Sequence, residues 1–142
     1  MKIRNGFVSN SSSTAFVVID NSGELYNFRS DDGDILVVGK RGKTEFGWEQ
    51  EVSKDIHSKI NFAYLQAFEY SNNKQWQELL IRTITNYTDI KRVIDNITEE
   101  GYIDHQSAAT EGENTEIFES EKVLRNFLFG RKSKIVTDND NH

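Results

Sequence analysis

Acid, imidazole and hydroxyl side chains lie close together in the segment GYIDHQS, at Asp104, His105 and Ser107. Such groups carry out general acid–base catalysis when they lie within hydrogen-bonding distance of each other. In a strand, however, neighbouring side chains point to opposite faces, so Asp104 would not orient His105 as a catalytic triad requires. We therefore treat His105 and Asp104 as candidate catalytic residues, with a structural histidine at a strand end as the alternative.

A run of small polar residues near the N-terminus, SNSSST, is a candidate ligand-binding loop. The side chains of Asn10, Ser11, Ser12 and Ser13 can cap a turn, and the same donors can surround a phosphate. Apolar residues flank the run on both sides, which favours an ordered loop over a flexible linker. If this loop lies beside His105, the two segments would hold a phosphate next to a general base.

The net charge of −6 comes from one part of the chain. Residues 93–121 carry nine acidic side chains and no basic one, whereas residues 1–92 are balanced. This distribution argues against a nucleic-acid binder, which needs a broad basic surface. It indicates a solvated face, a surface that binds a protein or a cation, or a surface that imitates nucleic acid. The candidate partner-binding residues are Glu99, Glu100, Glu111, Glu113 and Glu116.

Several kinds of site and compartment are not expected. Cysteine is absent, three histidines are present, and the acidic clusters lack the spacing of an EF-hand, so we expect no metal and no cofactor. The longest apolar runs have four or five residues, such as AFVVI, and a membrane-spanning helix needs about 20. No signal-peptide pattern is seen, so the predicted location is the cytoplasm and no membrane partner is expected.

The first third of the chain reads as a series of short strands. The runs TAFVVID, ELYNFRS, DILVVG and KTEFGW are rich in β-branched and aromatic residues, and turn residues separate them. The segment VVGKRGKT lacks the first glycine of a phosphate-binding P-loop and is predicted to form a basic hairpin turn. Short gaps between the runs predict an antiparallel β-meander.

Helical periodicity follows from about residue 49. Apolar residues at three- and four-residue spacing predict one helix to about residue 68, on which His57 faces solvent, and a second from about residue 74. Ser120 predicts the N-cap of a C-terminal helix, Gly130 its end, and SKIVT a final strand. The acidic loop is placed at 104–116 and a polar tail at 138–142. The predicted fold is α+β in a single domain, residues 1–142, with the meander packed against two or three amphipathic helices.

The segment GFVSNSSSTAF resembles an N-terminal signature, arginine-x-GFVSNSSSSSF, of a family of uncharacterised tailed-phage proteins. Further blocks are similar to the same family, namely FGW, KINFAYLQ, GYIDHQS, IFESE, FLF and TDNDN. The chain departs from the N-terminal signature at Thr14 and Ala15, where serine is expected. In the terminal block TDNDN it departs from the family at Asp138, where glycine is expected. The resemblance implies a phage origin and action in the host cytoplasm, and it implies no particular activity.

Three functions follow as expectations. The first is a non-enzymatic phage accessory protein that binds a host or phage protein through its acidic surface, for example a host-takeover or anti-defence inhibitor or a nucleic-acid mimic. The second is a small-ligand or phosphate-binding protein or an enzyme, which uses the serine-rich loop with Asp104 and His105. The third is a minor virion or assembly component.

Overall fold

A computed structural model describes residues 13–46, 50–97, 102–103 and 114–139. These residues form an α+β fold, as the sequence predicts. The helices are α1 (Ile56–Tyr64), α2 (Lys74–Tyr87) and α3 (Glu121–Phe129). The strands are β1 (Ser13–Val18), β2 (Ile35–Val38), β3 (Glu45–Phe46), β4 (Glu51–Ser53), β5 (Arg92–Asp95), β6 (Tyr102–Ile103) and β7 (Lys134–Asn139).

The early strands do not form the expected meander among the described residues. Strand β1 pairs antiparallel with β7, which also pairs antiparallel with β4. Strands β2 and β5 pair in parallel, as do β3 and β6. A parallel pair needs a long crossover connection, and α1 and α2 supply it between β2 and β5. The segment ELYNFRS contributes only two isolated bridges, from Leu25 to Gly130 and from Ser30 to Gly33.

Helix α1 begins later than the periodicity predicts, because residues 51–53 join the sheet as β4. Asp55 caps the helix, and its carboxylate accepts a hydrogen bond from the Ser58 amide at 2.9 Å. After Tyr64 the helix continues as a π-helical segment, Leu65–Tyr70. The Asn73 side chain caps α2 in the same way as Asp55 caps α1.

The C-terminal region follows the prediction, with two changes at its boundaries. Ser120 caps α3 and accepts a hydrogen bond from the Val123 amide at 3.1 Å. The last strand continues to Asn139, so the polar tail starts later than residue 138. A 3-10 turn, Thr115–Phe118, ends the predicted acidic loop early, because Ile117 and Phe118 are buried.

The core lies between the helices and the strands. Phe62 on α1 contacts Phe46 and Phe127, with ring centroids 5.1 and 6.3 Å apart, and all three rings are fully buried. Leu36 and Val38 of β2 are buried in the same cluster. Phe62 therefore places the apolar face of α1 at the centre of the core.

Asn114 occupies the edge of β1 that β7 leaves unpaired. Its amide nitrogen donates to the Ala15 carbonyl at 3.0 Å, and its amide oxygen accepts from the Val17 amide at 3.2 Å. The residue is buried and has a left-handed backbone with φ of 63°. One side chain thus replaces two hydrogen bonds of a neighbouring strand, a protection that edge strands commonly need.

Asn114→Gly is expected to lower the free energy of unfolding by about 2 kcal/mol, since it removes two partly buried hydrogen bonds. Glycine adopts the left-handed backbone without strain, so the decrease in the free energy of unfolding measures the loss of the Asn114 side-chain amide. Asn72→Gly is the matched control, because Asn72 also has a positive φ, of 46°, and is exposed. Urea denaturation measures both variants. Equal stabilities would contradict the edge-capping role.

Candidate functional site

The outward side of the sheet formed by β1, β7 and β4 carries an unusual number of exposed apolar side chains. Phe16, Val18 and Val52 are 43%, 37% and 53% exposed. They account for three of the five large apolar side chains that are exposed among the described residues. We call this surface the outer sheet face, and its described side chains are Phe16, Val18, Val52, Lys134 and Val136.

The pairing register explains why these residues lie together. Val136 on the central strand pairs with Phe16 on one side and with Val52 on the other, so the three form one row across the sheet. Neighbouring positions point to the opposite face. There Ala15, Ile135 and Thr137 are buried. One face of the sheet therefore closes the core and the other presents an apolar row.

The row has a positively charged neighbour and a protected edge. Lys134 pairs with Val18, two residues before Val136, and its side chain is half-buried. At the edge of β1, Asn114 already bonds Ala15 and Val17, which obstructs the addition of another strand there. A partner is therefore expected to pack on the face and not to extend the sheet at β1.

The chain matches no protein-family model, no curated protein and no solved structure in the comparisons made.

Most of the sequence-predicted site residues lie outside the described residues. These are Asp104, His105, Asn10, Ser11, Ser12, Glu99, Glu100, Glu111 and Glu113. The backbone of Ser13 begins β1 and pairs with Asn139. Glu116 lies in the 3-10 turn and is exposed. The expected proximity of the serine-rich loop to His105 thus stays a prediction.

Burial shifts the pKa of three ionisable side chains of α1. Burial lowers the pKa of His57, against the opposing effect of Asp31 and Asp55. Burial also lowers the pKa of Lys59 to about 8, with Asp55 opposing. Burial raises the pKa of Tyr64, and a hydrogen bond to Asp95 raises it further. Helical periodicity gave no signal for the carboxylates of Asp31 near His57 and Asp95 near Tyr64, because both come from segments that are distant in sequence.

His57 does not face solvent as predicted. Its ring is half-buried and meets the ring of Phe28 edge to face, with centroids 5.2 Å apart. The loop 39–43 packs behind it, held by the Ser58 hydroxyl and the Asn61 amide.

Two further observations concern the part of the chain that the structure describes. No group of three or more acidic or histidine side chains is arranged there to hold a metal ion. None of the helices there combines the length and apolar character that crossing a bilayer requires.

Proposed function

We propose that this protein is a non-enzymatic accessory protein that binds another protein through the outer sheet face. The observation that carries the proposal is the apolar row across three strands, in which Phe16 and Val52 are exposed and Val136 between them is half-buried. Contiguous exposed apolar surface is typical of protein-binding sites, whereas apolar residues scattered singly are common on any surface. The resemblance to a tailed-phage family supports a host or phage protein as the partner.

The chemistry of the face defines the partner. A partner segment needs apolar side chains to cover Phe16 and Val52, because these gain most from removal of water. It also needs a carboxylate near Lys134, the one charged residue among the described side chains of the face. An apolar segment that carries an acidic residue fits both requirements.

The test is capture of partners from a bacterial lysate by the tagged full chain, followed by binding of the purified partner. The double variant Phe16→Thr with Val52→Thr is expected to bind the partner at least about tenfold more weakly, since two apolar side chains lose their burial. Threonine is β-branched and favours strands, so the sheet is retained in both substitutions. Binding by the wild type should persist at high salt, because apolar contacts are not screened.

Ile94→Thr is the matched control, because Ile94 is 39% exposed on β5, in a different sheet. Equal loss of binding in this control and in the double variant would contradict the assignment of the face. Self-association of the wild type that the double variant abolishes would assign the face to a second copy of the chain.

The acidic surface is the second candidate and makes the opposite prediction. Of its candidate residues the structure describes Glu116, which is exposed beside the start of α3, as is the neighbouring acidic residue Glu119. Binding through them would weaken strongly as salt rises and would fall on Glu116→Gln. Binding that persists at high salt and in the Glu116→Gln variant, but is lost in the double variant, would favour the outer sheet face.

A further inference from the structure

An open cleft of about 480 Å³ lies between residues 26–29 and the start of α1. Tyr26, Asn27, Phe28 and Arg29 line one side, and Lys54, Asp55, Ile56 and His57 line the other. This volume falls within the range that binds small organic ligands in proteins. The outer sheet face and the acidic surface do not account for this cleft.

Both walls of the cleft are fixed by hydrogen bonds. The Tyr26 amide donates to the Phe129 carbonyl at 2.7 Å, and the Tyr26 carbonyl accepts from the Tyr87 hydroxyl at 2.9 Å. Across the cleft, the cap made by Asp55 fixes the first turn of α1. Phe28, on the same wall as Tyr26, is buried, and its ring contacts the rings of His57 and Phe129. A ligand would therefore enter a largely preformed site.

The charges of the cleft favour an anion, although the chain as a whole is acidic. Arg29 and Lys54 are exposed and supply two positive charges. Among the described residues, Lys54 has no ion-pair partner, and Arg29 approaches Asp89 only at 4.0 Å. Asp55 also lines the cleft and keeps its negative charge while it accepts a hydrogen bond from the Ser58 amide, so the lining side chains carry a net charge of +1 when His57 is neutral. Arginine and lysine without close partners are the usual ligands of phosphate groups.

The cleft also offers a surface for an aromatic ring. Tyr26 is 37% exposed, and the Arg131 guanidinium lies over its ring, 4.7 Å from the centroid. Bases of nucleotides stack on tyrosine rings and on guanidinium planes. Inorganic phosphate would leave most of the cleft volume and this aromatic wall without contact.

We propose that the cleft between Tyr26 and His57 binds a nucleotide, with its phosphate at Arg29 and Lys54 and its base against Tyr26. The residues that line this site differ from those of the serine-rich loop, for which phosphate binding is a sequence prediction only. It adds a ligand to the proposed protein-binding function and does not depend on that function.

Titration calorimetry of the full chain with AMP, inorganic phosphate and adenosine tests the proposal. We expect AMP to bind about tenfold more tightly than either phosphate or adenosine, because each of these makes only part of the contacts. Arg29→Gln and Lys54→Gln should each weaken AMP binding by about tenfold. Tyr26→Leu should weaken AMP binding without changing phosphate binding.

Lys74→Gln is the matched control, because Lys74 is an exposed lysine at the far end of α2, roughly 20 Å along the helix from Tyr87. Absence of AMP binding at millimolar concentration would overturn the proposal. Equal weakening by Lys74→Gln and Lys54→Gln would overturn it as well. Equal affinity for AMP and phosphate would overturn the assignment of a nucleotide.

Discussion

Gly130→Ala is expected to lower the free energy of unfolding by about 3 kcal/mol or more, because a methyl group has no space at this position. A Cβ on residue 130 would overlap the Asn126 carbonyl oxygen and lie 2.6 Å from the Ser133 hydroxyl oxygen. That carbonyl already accepts hydrogen bonds from the Gly130 amide at 3.0 Å and from the Ser133 hydroxyl at 2.6 Å. It cannot move away without breaking both bonds.

Gly33→Ala provides the comparison that separates space from backbone strain. Gly33 has a φ of +73° and nothing within 4 Å of an added Cβ, so alanine there incurs only about 1–2 kcal/mol of left-handed strain. Gly130 has an ordinary φ of −67° and no such strain. Urea denaturation of both variants at neutral pH should show the larger loss for Gly130→Ala. The reverse order would contradict the steric argument.

Local features of the fold were predictable from the sequence, because neighbouring residues determine them. Ser120 caps α3 as predicted, and Gly130 follows its last residue. The reason for the glycine differs from the prediction, since a helix-ending glycine usually adopts positive φ. Here the side chains and carbonyls around Asn126 require the missing Cβ, and that crowding arises only after the chain folds.

The pairing of strands was less predictable, because it depends on distant segments. The pattern of β2 fits a buried strand, but its partner is β5, which lies beyond both α1 and α2. The segment around β5, DIKRVIDNI, has apolar spacing that suits a helix and β-branched residues that suit a strand, so its sequence alone does not predict this pairing. Short gaps between strands suggested neighbours in the sheet, whereas β1 pairs with the last strand of the chain.

The candidate surfaces show the same limit. Alternation along β1 predicts that Phe16 and Ala15 point to opposite sides, but not which side is covered. Thr137 pairs with Ala15, and both side chains are buried on the covered face of the sheet, as is Ile135. Phe16, the neighbour of Ala15, therefore lies on the exposed face. Asn114 was part of a predicted acidic loop, and its role at the edge of β1 depends on contacts across almost 100 residues.

Lys59 is a further residue whose environment the sequence did not reveal. It lies on the apolar face of α1 and is fully buried. Its ammonium group donates to the Gly130 carbonyl at 3.1 Å and to the Ser133 carbonyl at 3.0 Å. These carbonyls follow α3. One side chain of α1 therefore supplies hydrogen-bond donors for carbonyl groups at the end of a helix that is distant in sequence.

Lys59 is expected to make the stability of the protein rise with pH in the alkaline range. Burial lowers its pKa in the fold to about 8 from an ordinary value of 10.5. Between these values the unfolded chain holds the proton and the folded chain does not. Stability therefore increases as pH rises through this window, and the cost of burying the charge is fully present below it. A neutral amine still donates both hydrogen bonds.

Lys59→Met tests this, because methionine has a similar length but no charge and no donor. The stability of the wild type relative to the variant is expected to rise by about 2 kcal/mol between pH 7 and pH 9.5. At pH 7 the cost of burying the charge offsets the stabilisation by the two hydrogen bonds. The free energy of unfolding of the variant is therefore closer to that of the wild type at pH 7 than at pH 9.5. Urea denaturation at both pH values measures the difference.

Lys122→Met is the control, because Lys122 is exposed on α3 and water reaches its ammonium group in the folded and the unfolded chain. Its stability relative to the wild type should be the same at both pH values. Because the wild type and the variants share every other titrating group, the effects of those groups cancel in each comparison. A wild-type advantage over Lys59→Met that stays constant from pH 7 to pH 9.5 would mean that the buried amine holds its proton as strongly as an exposed one. In that case the two carbonyls stabilise the ammonium form enough to compensate for its burial.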